Sequence, residues 1–184
     1  MTRPADQAGR QGGEELADPQ AYQRRLVGLV GDDDPAAVQG ATGAAWRALV
    51  AEAGPDLRTR PSRYEWSVLE CLGHAVDGEL VMSGRYRWAL AEDDPEIAGY
   101  DQDRWVAALD HGRAEPEDLL RLFDALRASN LALWKASTPD QRARTVRHRE
   151  RGSESLGLMF TMIAGHDRFH LAQARRALTA VRAG

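Results

Sequence analysis

The sequence contains a single cysteine, Cys71, so no disulfide can form within the chain and no thiolate cage can hold a metal. It has no alternating run of β-branched and aromatic residues long enough for a convincing strand, which points to an all-α fold. No stretch approaches roughly 18 uninterrupted apolar residues, so a membrane-spanning helix is not expected. The N-terminus, Met1-Thr2-Arg3-Pro4-Ala5, has no apolar run behind its early arginine, which argues against a secretory signal. A cytoplasmic location, where a lone thiol stays reduced, is the expectation. A basic excess is missing too. The net charge is -4 and the pI about 5.7, and a nucleic-acid partner bound through a broad cationic surface is therefore not expected. Lysine is nearly absent, with Lys135 alone against 23 arginines, a bias that suggests a GC-rich bacterial genome and carries no chemistry.

Proline is scarce where helices are wanted. The eight prolines, at 4, 19, 35, 55, 61, 95, 116 and 139, leave four long helical segments between them. Residues 1–18, rich in Gly, Gln, Asp and Glu, read as a disordered tail, and 19–184 as one helical domain. A short helix is expected over 19–30, stopped by Gly31. The first long helix runs from Pro35, with Asp34 as N-cap, to Ala53 before Gly54-Pro55, and turns Val38, Ala41, Ala45 and Leu49 inward. The second starts near Glu65, where Ser62 and Glu65 have capping-box spacing, and ends near Ala91. The third begins at Pro116 and carries Leu119, Phe123, Leu126, Asn130 and Trp134 along one line. The fourth spans about Ser153 to Val181. Four helices with one apolar face each bury those faces most simply as a four-helix bundle. The long loop between helices 2 and 3, residues 92–115, has room for a short helix near Asp103–Leu109, and loops of that length often carry function.

Two histidines, His166 and His170, stand four residues apart on the inward line of the fourth helix, the spacing at which two imidazoles can share a metal ion. A third, His74, lies in the second helix on a line with Trp66, Glu70, Asp77, Val81 and Trp88. Taken alone, His74 reads first as a core histidine satisfied by a hydrogen bond. The pair alone is evenly balanced between core and metal. All three together favour a metal site with an open position, the usual arrangement of a catalytic divalent ion. His166-Asp167-Arg168-Phe169-His170 shares its histidine spacing with the HExxH zinc proteases. That reading fails, because aspartate is one methylene shorter than the general-base glutamate and no third ligand follows His170.

The residues Glu65-Trp66-Ser67-Val68-Leu69-Glu70-Cys71-Leu72-Gly73-His74, Tyr100-Asp101 to Trp105, and His166-Asp167-Arg168-Phe169-His170-Leu171-Ala172-Gln173 together resemble the DinB-like (YfiT-like) helical-bundle superfamily from about residue 25 onward. The resemblance implies a four-helix bundle holding a divalent metal, typically zinc or nickel, through His74, His166 and His170. It also implies a small-molecule substrate. Members of known activity include transferases and isomerases that use a low-molecular-weight thiol, and others are called metal-dependent hydrolases. A metal on three neutral imidazoles lowers the pKa of bound water to about 7 or deprotonates a bound thiol. The leading expectation is thus a thiol-dependent S-transferase; the alternatives are a hydrolase using metal-bound water and a non-catalytic metal-binding bundle.

Asp77 or Glu70 would orient His74 or accept a proton, the competing role for each being a solvated salt bridge to Arg85 or Arg87. Gln173, one turn beyond His170, and Asn130 are further candidates for contact with a ligand or substrate, each balanced against a polar role in the bundle. The basic run Arg142–Arg151 would draw an anion or form a solvated loop paired with acids. His111 and His148 read as surface loop residues, Cys71 as core. The five tryptophans read as bundle packing, with Trp88 and Trp105 as candidates to wall a pocket. A helical bundle is free to pair as a homodimer, but no feature of the sequence calls for it.

Overall fold

A computed structural model describes residues 18–184; apart from Asp18, the expected N-terminal tail lies outside the described residues. Asp18 caps the first helix, α1 (Pro19–Val30), by accepting from the amides of Gln20 and Ala21 at 3.0 Å, and Gly31 ends it at φ 61°. Helix α2 (Pro35–Ala53) is capped by Asp34 and stopped by Gly54 at φ 52°, a left-handed conformation that glycine adopts without strain. Helix α3 (Val68–Ala91) follows a 3₁₀ turn at Gly54–Arg58. Then come strand β1 (Glu96–Ile97), helix α4 (Gln102–Ala108), a 3₁₀ turn at His111–Arg113 and helix α5 (Pro116–Ala136). The chain closes with helix α6 (Pro139–Ala143), strands β2 (Thr145–His148) and β3 (Gly152–Ser155), and helix α7 (Leu156–Ala183).

The fold is an all-α four-helix bundle of α2, α3, α5 and α7. Its core joins Trp46 and Leu49 of α2, Leu69, Leu72 and Val76 of α3, Phe123 of α5, and Ala174 and Leu178 of α7. Each large side chain among them stabilises the fold by about 1.5–3 kcal/mol through burial. Helix α3 is central: every residue from Val68 to Glu79 is buried, so it has no solvent face over three turns. Helix α1 lies along α7, and Gly165 makes this approach possible, since a Cβ there would stand 1.9 Å from the Leu26 carbonyl oxygen.

Several sequence expectations are corrected. Helix α3 starts at Val68, not near Glu65. Its capping box is Ser67 and Glu70, with the Ser67 amide donating to Glu70 at 2.9 Å and the Glu70 amide to Ser67 Oγ at 3.3 Å. Ser62 and Glu65 form a turn before the helix, with the Glu65 amide donating to Ser62 O at 3.3 Å and the Ser62 hydroxyl to the Glu65 carboxylate at 3.2 Å; the box that opens directly onto the unbroken apolar run wins. On α2 the buried line is Gln39, Thr42, Trp46, Leu49 and Ala53, displaced by one residue from the expected stripe because two polar side chains find partners inside. The described residues also contain a three-stranded sheet, ordered β1-β2-β3, with β1 parallel to β2 and β2 antiparallel to β3. Strands of two to four residues carry no readable period, and this sheet buries only Val146, His148, Ile97 and Glu154. Ser153, expected to begin the fourth helix, belongs to β3, and α7 is capped by Ser155.

Candidate metal centre

His74 comes from the middle of α3, and His166 and His170 from one face of α7, so the packing of these two helices assembles the cluster. One ligand nitrogen from each of the three lies within 4.8 Å of the others, and all three side chains are buried. His74 Nε2 and His166 Nε2 face each other at 3.0 Å. His170 Nδ1 meets Gln173 Oε1 at 2.8 Å. The amide oxygen can only accept, so Nδ1 carries the proton and the lone pair of His170 sits on Nε2, which has no hydrogen-bond partner. His74 Nδ1 and His166 Nδ1 also lack partners.

Burial pushes the pKa of each of the three well below the ordinary histidine range, and the neighbouring imidazoles add to the effect. The rings are therefore neutral at neutral pH, the state in which imidazole donates a lone pair to a metal. The donor set fits a divalent cation. Three neutral nitrogens converge in a dry site where one, His170 Nε2, is otherwise an orphaned acceptor, and an unpaired buried acceptor costs about 1–3 kcal/mol.

Glycine and aromatic side chains shape the surroundings. A Cβ on Gly78 would come within 3.1 Å of His166 Cε1, so glycine lets the α3 backbone approach that ring. Trp66 packs against His74 and His170, with ring centroids at 5.0 and 6.1 Å, and Tyr100 stands 6.4 Å from His74. A chamber of about 340 Å³ opens onto His74 and His166, walled by α1, α3, α7, the 99–103 loop and the turn at Glu150-Arg151.

The remaining candidates take varied places. Gln173 touches His170, as described. Asp77 is buried and pairs with His111 Nε2 at 2.7 Å, not with an arginine. His111 is therefore not a surface residue; its ring lies over Gly73, where a Cβ would meet His111 Cγ at 2.4 Å. Glu70 is engaged by Arg60, at 2.8 Å from Nε, and by its capping role. Arg85 and Arg87 reach neither acid. Arg87 binds Ser83 O, Ser129 and Asn130, whereas Arg85 binds Ala98 O.

Asn130 does not line the chamber. It donates to Glu79 Oε1 at 2.7 Å and Ser83 Oγ at 2.8 Å. Those groups belong to a buried network that the sequence did not disclose. In it Arg127 donates to Glu79 at 2.8 Å and to Asp167 at 2.6 Å, and Thr42 donates to Asp167 at 2.9 Å. The one available signal was polar residues on inward helical lines of four different helices.

His148 is buried in β2, with Nδ1 accepting from the amides of Glu150 and Arg151 at 3.2 and 3.4 Å. Within the basic run, Arg144, Arg147, Arg149 and Arg151 pair with Asp93, Asp94, Glu96 and Glu154. Trp88 is 50% exposed and walls nothing, while Trp105 packs on Tyr100 with centroids at 4.4 Å. Cys71 is fully buried, and its thiol pKa is raised by that burial.

A helical bundle with a buried three-histidine cluster at one end of a chamber is the class that fold and site define. The chain belongs to the DinB superfamily, whose sequence pattern matches residues 40–174. A protein of Oceanobacillus iheyensis named "Putative metal-dependent hydrolase OB0782" is 31% identical over 107 residues, 58% of this chain and 62% of its own length. A second from the same organism, "Putative metal-dependent hydrolase OB0413", is 24% identical over 114 residues, 62% and 65% of the two chains. The chain thus spans a little over three fifths of the length of these relatives. YfiT from Bacillus subtilis, described as "a probable metal-dependent hydrolase with an unusual four-helix bundle topology", superposes with a TM-score of 0.74 at 22% identity, over 81% of this chain and 86% of that one. This likeness shows the shared fold. Among the described residues no helix is long and apolar enough to cross a membrane.

Proposed function

We propose that the protein is a divalent-metal-dependent enzyme of hydrolase type acting on a small molecule, with His74, His166 and His170 as ligands and zinc or nickel as the ion. The observation that carries this reading is the convergence of three buried, neutral imidazoles, two of which line a chamber large enough for a small molecule. The names of the relatives support hydrolysis. When bound, a divalent ion supplies Lewis acidity and lowers the pKa of a coordinated water or thiol. Gln173 fixes the tautomer and ring orientation of His170. Trp66 and the close approach of Gly78 limit where the rings of His74 and His166 can swing. Burial keeps all three imidazoles neutral.

A thiol-dependent transfer is the second reading, favoured by one observation. Both carboxylates near His74 are committed, Asp77 to His111 and Glu70 to Arg60 and the helix cap. Asp77 therefore accepts a proton only in concert with His111. Attack by water ordinarily uses a general base, which a thiolate does not need. Metal analysis of the purified protein tests the site: about one divalent ion per chain is expected, lost in His170→Ala. Metal-loaded protein is then assayed against a panel of esters and amides, and against thiols paired with electrophiles. Turnover of the first panel alone supports hydrolysis, and turnover only with added thiol supports transfer. Absence of bound metal, unaffected by His170→Ala, refutes the site.

A further inference from the structure

Arg85 is the one buried arginine lining the chamber, and its hydrogen-bond partners are not acids. Its side chain is buried on α3, and its hydrogen bonds go to the Ala98 carbonyl at 2.7 Å and the Met82 sulfur at 3.8 Å. Among the described residues it makes no ion pair. The other buried arginine, Arg127, is held by two carboxylates, and Arg151, which also lines the chamber, is closed off by Glu154 at 3.0 Å. A buried cation is costly unless paired, and retaining one against a cavity indicates that the missing partner enters from outside. Burial and the like charge of Arg151 work against its charged form, and Glu154, Tyr100 and Tyr86 offset them only in part, so an incoming anion would relieve the remaining cost.

Its position sets a length. Arg85 stands eleven residues after His74, a little over three turns, and so returns to nearly the same side of α3 roughly 16 Å further along the axis. Helical side chains lean toward the N-terminus, which brings the guanidinium back toward the histidines. The apolar part of the wall is formed by Val81, Met82, Leu26, Met162 and Ile163, and the 99–103 segment and the Glu150-Arg151 turn supply a polar part.

We propose that Arg85 anchors a carboxylate at the far end of the chamber, so that the substrate is an elongated, largely apolar carboxylate whose reacting centre lies on the order of 10 Å from its anionic end. The assignment of a reacting centre rests on the metal-site reading above; the anchoring does not. The basic run Arg142–Arg151 is not the anion site, because its arginines in the sheet and turn are already paired.

The test is a binding titration of metal-stripped protein with octanoate and with the neutral isostere octanamide. Octanoate is expected to bind at least tenfold more tightly, the scale of one charge-assisted hydrogen-bonded pair. The preference should fall with added salt, vanish in Arg85→Gln, and persist in part in Arg85→Lys. Because no metal is present, the result stands even if the three-histidine reading fails. Equal affinity for the two ligands in the wild type, or no binding of either at millimolar concentration, overturns the proposal without recourse to a variant. So does a preference that survives Arg85→Gln, or octanoate binding that appears only when zinc is added, which would place the carboxylate on the ion.

Discussion

Replacing Gln173 by alanine removes the one protein group that fixes which nitrogen of His170 carries the proton. Gln173 Oε1 lies 2.8 Å from Nδ1, and the opposite nitrogen, Nε2, is buried and unpartnered. In the wild type the bond holds the Nδ1–H tautomer and the ring plane together. Without it the imidazole is free to protonate on Nε2, toward His74 and His166, and that tautomer cannot ligate. The loss in the metal-free protein is that of one neutral hydrogen bond, about 1 kcal/mol. With metal bound, the ring is polarised and the bond is charge-assisted, worth about 1.5–3 kcal/mol. Metal affinity is therefore expected to fall about 10- to 100-fold, the range seen when groups supporting a ligating histidine are removed. Competition against a chromophoric chelator measures this directly, with thermal unfolding as a check that α7 remains intact. Gln173→Glu, which keeps an acceptor, should retain wild-type affinity or exceed it. An affinity for Gln173→Ala within twofold of wild type, beside a large loss in His170→Ala, would refute the reasoning.

Two further outcomes follow from the buried charges. Arg127→Leu leaves Glu79 and Asp167 buried without their cation and should cost about 3–5 kcal/mol in urea unfolding, while adding Glu79→Gln and Asp167→Asn should recover much of it; a loss below 1 kcal/mol would show that the network is not coupled. The three clustered histidines have folded pKa values depressed by burial, and His148 is lowered to about 4 by burial and by Arg151. The unfolded chain then binds protons first as pH falls through about 6.5, so the metal-free protein should be level in stability above pH 7 and lose up to about 1.4 kcal/mol per histidine by pH 5.5. Urea midpoints in chelator check this, and a midpoint at pH 5.5 equal to that at pH 7.5 would contradict it.

How much of this was legible in the chain depends on whether a residue's partner is local. Both ends of α2 and the start of α5 were readable because caps are local: Asp34, Gly54 and Pro116 act within one turn of themselves, whereas the starts of α3 and α7 were placed too early. So was half of the histidine cluster, since an i, i+4 pair on a helix shares a face whatever it packs against. The inward line of α2 was misplaced because Gln39 and Thr42 find partners on another helix, Phe160 O and Asp167, in addition to the local contact of Thr42 with Val38 O. His111 looked like a loop residue until Gly73 and Asp77, more than thirty positions away, gave its ring a floor and its nitrogen a partner. The same reasoning bears on Arg85. Nothing near it in sequence says whether it is paired, and its apparent surface character dissolves only once α3 is seen to be buried on nearly every side. Inside a bundle whose central helix is buried on every side from Val68 to Glu79 and keeps a solvent stripe at Leu80, Arg87 and Trp88, a buried polar side chain on α3 must be answered by another element or by a ligand. Glu70, Asp77, Glu79 and Ser83 have protein partners; His74 has its two histidines and Arg85 a chamber wall. Of the residues left without a full complement of protein partners, His74 and Arg85 line one chamber, while Tyr86, whose hydroxyl is also unpartnered, lies outside it.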